Sequence, residues 1–598
     1  MKDTQSEKAD KSIKTKLSTY FTFRFLDPLF TYLRGVKIFS TAGMLLLTLI
    51  LDFSLWLAFL SKVIATILQA GILVKLIFEE KYLHLRFRRL SWQKKLIPIA
   101  LMAVGLLFYI EKTLILYSMW GQPSGTLLNP YRAYSTIFFA SSFSIYALRI
   151  NIIAGFLGRL KLKPAQTLAI GFIGMILFGT LVLSLPQVVL DPSKVSIVDA
   201  LFTATSASTV TGLVLYPISE YYRPSGLWVI LFLIQLGGIG IMTFGVLFSL
   251  ISHQRMRLQH EVALQGVLET ESIGTVKKEI KLIFLITFTI EALGAVLIWA
   301  MTSEATDQPL FSAIFHSISA FCNAGFSLFP DNLEGYAHNI PMNLIIAVLI
   351  VLGGIGFPVL NNLGNYPFFK KERAEWRLSF HSKMVLSISV GLLIVGTVGI
   401  YILEFRGTLD ALPWYEKWVA AAFHSVTART AGFNTLDTGA YSDAALFLII
   451  LLMWIGGSPA STAGGIKTTT FGVMLATLGA MLHRREEVSL FKRSLSPVAV
   501  HKSLSIAFTS SALLAFLLLL LLATEEGSFK EIVFESVSAF NTVGLSTGIT
   551  SELSTVGKII ITLTMFIGRI GPLTLAFSLA ERASKGKLSY PQERVIIG

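Results

Sequence analysis

The chain has 598 residues, of which 53% are hydrophobic, 12% aromatic and only 14% charged. A soluble domain carries about 25% charged residues, so a soluble reading would need one core far larger than single domains build. The excess of 50 Lys and Arg over 36 Asp and Glu would suggest nucleic acid in a soluble protein, but the positive bias of cytoplasmic loops explains it in a membrane protein.

The N-terminus, MKDTQSEKADKSIKTK, is too polar for a secretory signal and is expected to be a cytoplasmic tail over 1–38. Within it, Leu17–Tyr32 has the pattern of an interfacial amphipathic stretch. Apolar segments follow near 39–60, 61–79, 96–118 and 133–158. These are expected to be extra transmembrane helices over 39–160, each about the 20 residues that a bilayer core requires. No ten-residue alternating strands of a membrane barrel occur, so the chain is expected to be an all-α polytopic membrane protein.

From residue 162 a trio recurs: a long apolar helix, a short moderately apolar stretch ending in Gly, and a second long helix. The trios fall at 164–186, 196–212 and 225–252; at 279–302, 308–325 and 341–362; at 383–404, 414–432 and 443–482; and at 500–523, 529–544 and 556–580. The four units are expected to span 161–260, 261–375, 376–490 and 491–598, the last ending in a cytoplasmic C-terminus. Their short stretches read Phe202-TATSASTVTG, Phe315-HSISAFCNAG, Phe423-HSVTARTAG and Phe534-ESVSAFNTVG. The closing glycines Gly212, Gly325, Gly432 and Gly544 are spaced by 113, 107 and 112 residues. A second glycine cluster follows each in register: Gly237-Gly238, Gly353-Gly354, Gly456-Gly457 and Gly568.

Loops joining one repeat to the next are basic (Arg255, Arg257, Lys277, Lys278 and Lys281 in the first), whereas those flanking the short stretches are acidic (Glu304, Asp307, Asp331, Glu334, Glu525, Glu526, Glu531). The joins and both termini are therefore expected inside, with the short stretches dipping in from outside. A stretch of about 15 residues that enters and leaves on one side is re-entrant, and extended backbone at that depth must be buried in protein or line a cavity. Four such loops in a pseudo-fourfold arrangement give one pore lined by carbonyl rings, the geometry of a cation selectivity filter. The expected filter is Thr209, Val210, Thr211 and Gly212; Cys322, Asn323, Ala324 and Gly325; Thr430, Ala431 and Gly432; and Asn541, Thr542, Val543 and Gly544. Glycine permits positive φ, so successive carbonyls can face the pore.

In the third repeat the second helix is interrupted by Gly456-Gly457-Ser458-Pro459-Ala460-Ser461-Thr462-Ala463-Gly464-Gly465, which cannot remain helical because Pro459 lacks an N–H and each Gly costs about 1 kcal/mol relative to Ala. This loop is expected to obstruct the path and move aside. Arg569, a charge inside an apolar run, should face carbonyls or this loop. Lys467 is expected at the loop end, reaching water, and Arg429 to turn from the axis toward an external carboxylate. His316, His424 and Glu291 read as buried polar contacts, with a sodium site the alternative for Glu291. The single cysteine, Cys322, rules out an internal disulfide and a Cys/His metal cluster. No constellation of acids, His or metal ligands recurs, so an enzyme is not expected. Four same-sense repeats also argue against a rocking carrier of inverted halves.

The four repeats with one glycine per loop, the run Ile455–Lys467 and the segment Gly568-Arg569-Ile570-Gly571-Pro572 resemble the Trk/Ktr/HKT superfamily of potassium transporters, most closely the Ktr-type membrane subunit. The resemblance covers about 162–598. It implies K+ held at the filter carbonyls without a bound cofactor, uptake that is often sodium-stimulated, and the plasma membrane as location. It also implies a homodimer with one pore per subunit and a cytosolic ring of nucleotide-binding regulators of the KtrA or TrkA kind. In this superfamily a serine in place of the first-repeat glycine goes with sodium permeation, and Gly212 is glycine here. The alternatives are a proton- or potential-driven Trk-type transporter and a sodium-permeable HKT-like one. Residues 39–158 depart from the Ktr-type pattern, which begins near the first repeat.

Overall fold

The computed structural model describes residues 164–186, 188–251, 276–302, 308–364 and 378–571. The chain divides into two compact units, and the second, residues 149–184 with 188–598, holds every element below. The N-terminal tail, the stretch Leu17–Tyr32, the extra segments of 39–160, much of two basic joins, and 572–598 with Pro572 lie outside the described residues.

The first repeat is α1 (Pro164–Leu183), α2 (Ile197–Thr209) and α3 (Pro224–Ile251). The second is α4 (Val276–Thr302), α5 (Pro309–Phe321), α6 (Ile340–Gly354) and α7 (Phe357–Gly364). The third is α8 (Phe380–Glu404), α9 (Trp414–Thr427), α10 (Asp443–Trp454) and α11 (Thr468–Leu482). The fourth is α12 (Pro497–Thr524), α13 (Phe529–Phe540) and α14 (Thr555–Ile570). A two-rung hairpin, β1 (Ser489–Leu490) with β2 (Arg493–Ser494), lies between the third and fourth repeats.

Short polar side chains start these helices by accepting the first free backbone N–H groups: Ser196 from Asp199, Asn339 from Met342, Ser379 from Ser382, Ser442 from Ala445, Ser496 from Ala499 and Ser554 from Gly557. Ser528 and Glu531 form a reciprocal capping box on α13. Among the described residues, Lys281–Thr302, Phe380–Glu404 and Pro497–Thr524 are long and apolar enough to cross a membrane. Their outer faces present Leu285, Phe288, Leu293, Ile394, Ile402, Phe516 and Leu519, while hydroxyls and small residues such as Thr287, Ser389 and Ala507 are buried beside larger apolar ones such as Ile298, Ile400 and Leu521. This arrangement suits a lipid surround, where close packing of small residues holds helices together. At 12 to 14 residues, α2, α5, α9 and α13 are about 20 Å long, short of the ~30 Å hydrocarbon core.

The second helix of each repeat packs on the short helix of the next: α3 on α5, α6 on α9, α10 on α13, and α14 back on α2. The repeats thus close into a ring. The motif phenylalanines are the pegs. Phe423 is buried among Ile346, Leu349 and Ile350 of the second repeat. Phe534 is buried among Ile449, Leu452 and Met453 of the third, and Phe202 among Leu521, Ile561 and Met565 of the fourth.

One expectation of continuity fails. The second helix of repeat two, read as unbroken over 341–362, bends by 102° between α6 and α7. Gly356 has φ +94 at the break, and Pro358 stands in the first turn of α7. The freed Phe357 N–H donates to Ala460 O at 3.0 Å, so the interrupted loop of repeat three supplies the partner that the helix gives up.

Candidate functional site

Each short helix ends in the same way. The motif Ser or Thr (Ser206, Ser319, Thr427, Ser538) is the last anchor, and the chain then reverses through the loop. Thr211 N donates to Ser206 O, Ala324 N to Ser319 O and Val543 N to Ser538 O, each at 2.8 Å. The third stretch is one residue shorter from Phe to Gly, and its bond, Ala431 N to Thr427 O at 2.9 Å, spans one residue fewer. In repeats one and four the hydroxyl also takes the glycine amide, Gly212 N to Ser206 Oγ and Gly544 N to Ser538 Oγ at 3.1 Å.

Positive φ occurs twice in every loop: at Val210, Asn323, Thr430 and Thr542, and at Gly212, Gly325, Gly432 and Gly544. The sequence marked only the glycines. Alternation of left-handed residues with ordinary ones lets successive carbonyls face one side, and a non-Gly residue in this region is strained unless its surroundings hold it. These four are at most 1% exposed.

The four loops meet one another in cyclic order. A methyl group on Gly212 would lie 2.5 Å from Ala324 O, one on Gly325 2.7 Å from Ala431 O, and one on Gly432 2.5 Å from Val543 O; one on Gly544 would collide with Thr211 O. The ring closes on itself. Those four carbonyls belong to residues with 0% exposure, and none accepts a hydrogen bond from a described residue. Buried carbonyls are normally paired, so four unpaired ones on one ring form an oxygen cage suited to a cation.

The second glycine cluster seats the short helices. A methyl on Gly237 would strike Ser208 O, one on Gly353 Phe321 O and one on Gly568 Phe540 O. Repeat three departs, because there the helix gives way to the loop 456–467. Its base is closed by Gly456 N to Ile466 O at 3.0 Å and Thr468 N to Gly457 O at 3.1 Å. Its tip is tied to repeat two by Ser458 N to Gly354 O, 3.0 Å, and Thr462 N to Gly353 O, 3.3 Å, and by Thr462 Oγ1 to Phe321 O, 3.1 Å. Gly464 abuts Asn541 and Thr542 of the fourth loop, and a methyl on Gly356 would sit 2.5 Å from Pro459 O. The loop contacts the residues at the C-terminal ends of the short helices α5 and α13. Arg569 spans the two structures, donating through Nη1 to Thr462 O at 2.7 Å and through Nη2 to Gly237 O at 3.0 Å.

One side chain lies elsewhere than expected. Arg429 pairs with no carboxylate among the described residues; its Nη2 is 3.2 Å from Ser389 Oγ on α8. Arg429 follows the C-terminal end of α9, where Ser389 of the neighbouring α8 is the partner within reach. It lines a cavity of about 30 Å³ with Asn323, Gly354, Ser389 and Gly457. Lys467, at the end of the loop and half-buried, also binds the loop itself. Its Nζ folds back onto the loop, 2.8 Å from Ala463 O and 3.3 Å from Gly464 O.

The other polar residues serve as structural ties. Gln235 Nε2 holds both Glu291 oxygens at 3.0 Å, and Cys322 Sγ reaches Glu291 Oε1 at 3.9 Å. His316 bonds Ser312 O at 2.7 Å and Ser327 Oγ at 3.0 Å, and His424 Nε2 bonds Thr435 Oγ1 at 3.3 Å. Sequence reasoning passed over Glu535, the counterpart of these histidines, which is fully buried and accepts from Thr550 Oγ1. Its position one residue after the motif Phe was the available signal. No group of three or more metal-ligating His, Cys, Asp or Glu occurs among the described residues.

The family model described as a cation transport protein, TrkH, matches residues 161–588. The chain belongs to this family. It is 41% identical over 442 residues to "Ktr system potassium uptake protein B" of Bacillus subtilis, which covers 73% of this chain and 97% of that one. It is 35% identical to "Potassium/sodium uptake protein NtpJ" of Enterococcus hirae, over 74% of this chain and 98% of the other. The crystal structure of the potassium transporter TrkH from Vibrio parahaemolyticus has the same fold, with a TM-score of 0.57 at 20% identity over 82% of this chain and 99% of that one. The TrkH family is one of transporters rather than enzymes, and its members are embedded in the membrane by many spans.

Proposed function

We propose that this TrkH-family chain is a potassium uptake subunit whose four loops select the ion and whose interrupted loop gates it. The observation that carries the proposal is the ring of buried, unpaired carbonyls of Thr211, Ala324, Ala431 and Val543 against the four glycines. Such oxygens replace the hydration shell of a cation. The inner ends of α2, α5, α9 and α13 add partial negative charge on the same side. The names of the Bacillus and Enterococcus relatives support potassium as the ion, and glycine at all four closing positions agrees with that choice. Entry of each charge is favoured by ~2.3 kcal/mol per 100 mV of membrane potential.

The loop 456–467 lies inward of the ring, and its tip carbonyls are occupied by protein donors, as a closed plug requires. Both termini and the inter-repeat joins are cytoplasmic in this reading, and the four repeats occupy 161–260, 261–375, 376–490 and 491–598, after the extra helices of 39–160. The subunit pairs as a homodimer under a ring of nucleotide-binding regulators, a system of more than one component such as the names of the Ktr relatives imply.

The test is potassium uptake in cells lacking their own uptake systems, with and without sodium, for wild type and Gly325→Ser. Gly325 has φ +68 and faces Ala431 O at 2.7 Å from a methyl position, so serine must displace the ring. Wild type is expected to carry K+, and the variant to lose its preference for K+ over Na+. A folded wild type that carries no K+ with its regulator present, or a variant of unchanged selectivity, would overturn the reading.

A further inference from the structure

Lys467 is a half-buried cation that the reading above leaves without a task. The carbonyls at the tip of the interrupted loop are shared among several donors: Ala460 O accepts from Phe357 N at 3.0 Å, and Thr462 O from Arg569 Nη1 at 2.7 Å. Ala463 O and Gly464 O, the two that follow, have only the Lys467 ammonium as a donor among the described residues, at 2.8 and 3.3 Å. No carboxylate pairs with that ammonium among the described residues. An uncompensated cation is costly away from water unless oxygens solvate it, and these two carbonyls are the oxygens that do so.

The position of these carbonyls gives the contact its consequence. Gly464 abuts Thr542, and a methyl placed on it would lie 2.7 Å from Asn541 O, at the inner end of the fourth loop. This part of the plug therefore stands directly against the fourth loop of the carbonyl ring. Lys467 is also the residue immediately before α11, with its backbone beside the closed base of the loop. Its ammonium therefore ties the returning limb of the loop to the helix that follows.

We propose that Lys467 is a tethered cation that latches the interrupted loop shut, by occupying the carbonyls of Ala463 and Gly464 that a permeating ion would otherwise use. This inference rests on the gate reading of the loop and assigns that gate its latch. Ammonium and K+ ask for the same ligands, so the latch competes with the transported ion and sets how often the loop opens. Lys467 touches the loop and not the carbonyl ring, so it is a positioning residue, and changing it should alter flux without altering selectivity.

The experiment is K+ flux through the full chain in liposomes, with K+/Na+ selectivity measured on the same preparations. The variants are K467M, K467R and a chain lacking residues 459–462. Loss of a charge-assisted hydrogen bond shifts a two-state equilibrium by about tenfold, so K467M is expected to raise basal K+ flux by up to about tenfold with selectivity unchanged. K467R, which keeps a cationic donor, is expected to bring flux back toward wild type. Flux at or below the wild-type level in a folded K467M overturns the latch. Should K467M fail to assemble, K467Q, which keeps a donor without the charge, carries the same test. If the shortened loop raises flux and K467M does not, the latch alone fails; if neither changes flux, the gate reading fails with it.

Discussion

Val210 is a β-branched residue with φ +56, a conformation that costs an L-residue about 1–2 kcal/mol. It persists because the backbone on either side is pinned: Val210 N to Ala207 O at 3.2 Å and Thr211 N to Ser206 O at 2.8 Å. Ser206 also accepts the Gly212 amide through its hydroxyl at 3.1 Å. Ser206→Ala removes that acceptor and leaves a buried N–H unpaired, at a cost of about 1–3 kcal/mol. The expected outcome is a lower thermal midpoint together with weaker K+/Na+ discrimination, read in one purified sample. Ser538→Ala, with the same bond to Gly544, should behave alike, whereas Ser536→Ala removes a hydroxyl that has no partner and should leave selectivity intact.

At the scale of elements, the long helices carry glycine for two unrelated reasons that the sequence does not separate. Gly353 seats a helix: a side chain there would strike Phe321 O, the end of α5. Gly174, exposed on α1, meets no described atom within 4 Å. Gly353→Ala is therefore expected to destabilise the fold and displace the second loop, while Gly174→Ala should be neutral or gain up to about 1 kcal/mol of helix propensity. Thermal unfolding of the two variants side by side checks this, and equal destabilisation would refute the seating argument. The break between α6 and α7 has a similar logic. Gly356, at φ +94, turns the chain under Pro459, so the second-repeat helix is bent where the third-repeat loop needs room and a donor.

For the whole molecule, the decisive feature is that the ring closes. The joint between the last repeat and the first is α14 on α2, fastened by Lys558 Nζ to Asp199 Oδ1 at 2.8 Å, with side chains 15% and 9% exposed. Asp199 also accepts from Tyr216. A double-mutant cycle on Asp199→Asn and Lys558→Met is expected to give a coupling of roughly 0.5–3 kcal/mol in stability. The exposed pair Lys530–Asp443, at 3.0 Å with side chains 53% and 81% exposed, should give at most about 1 kcal/mol.

Much of this arrangement can be read directly from the residues. Apolar runs of bilayer length, a fourfold repeat and glycines in register determine helix positions and the existence of four short helices that end in tightly turned loops, because helix length, hydropathy and left-handed backbone are local properties of the chain. The motif Phe, Ser/Thr and Gly are likewise visible, although their separate tasks of pegging the next repeat, anchoring the turn and making room for a neighbouring carbonyl are not. Only the tertiary structure decided what each polar side chain faces. Arg429 finds Ser389, forty residues away, and Lys467 turns back onto its own loop. The break at Gly356 is matched to Ala460, and the carbonyls of Thr211, Ala324, Ala431 and Val543 come together only when the fourth repeat meets the first. A buried donor or acceptor takes whatever partner the packed ring brings within reach, and neither a partner forty residues away nor one in another repeat is marked by any local pattern.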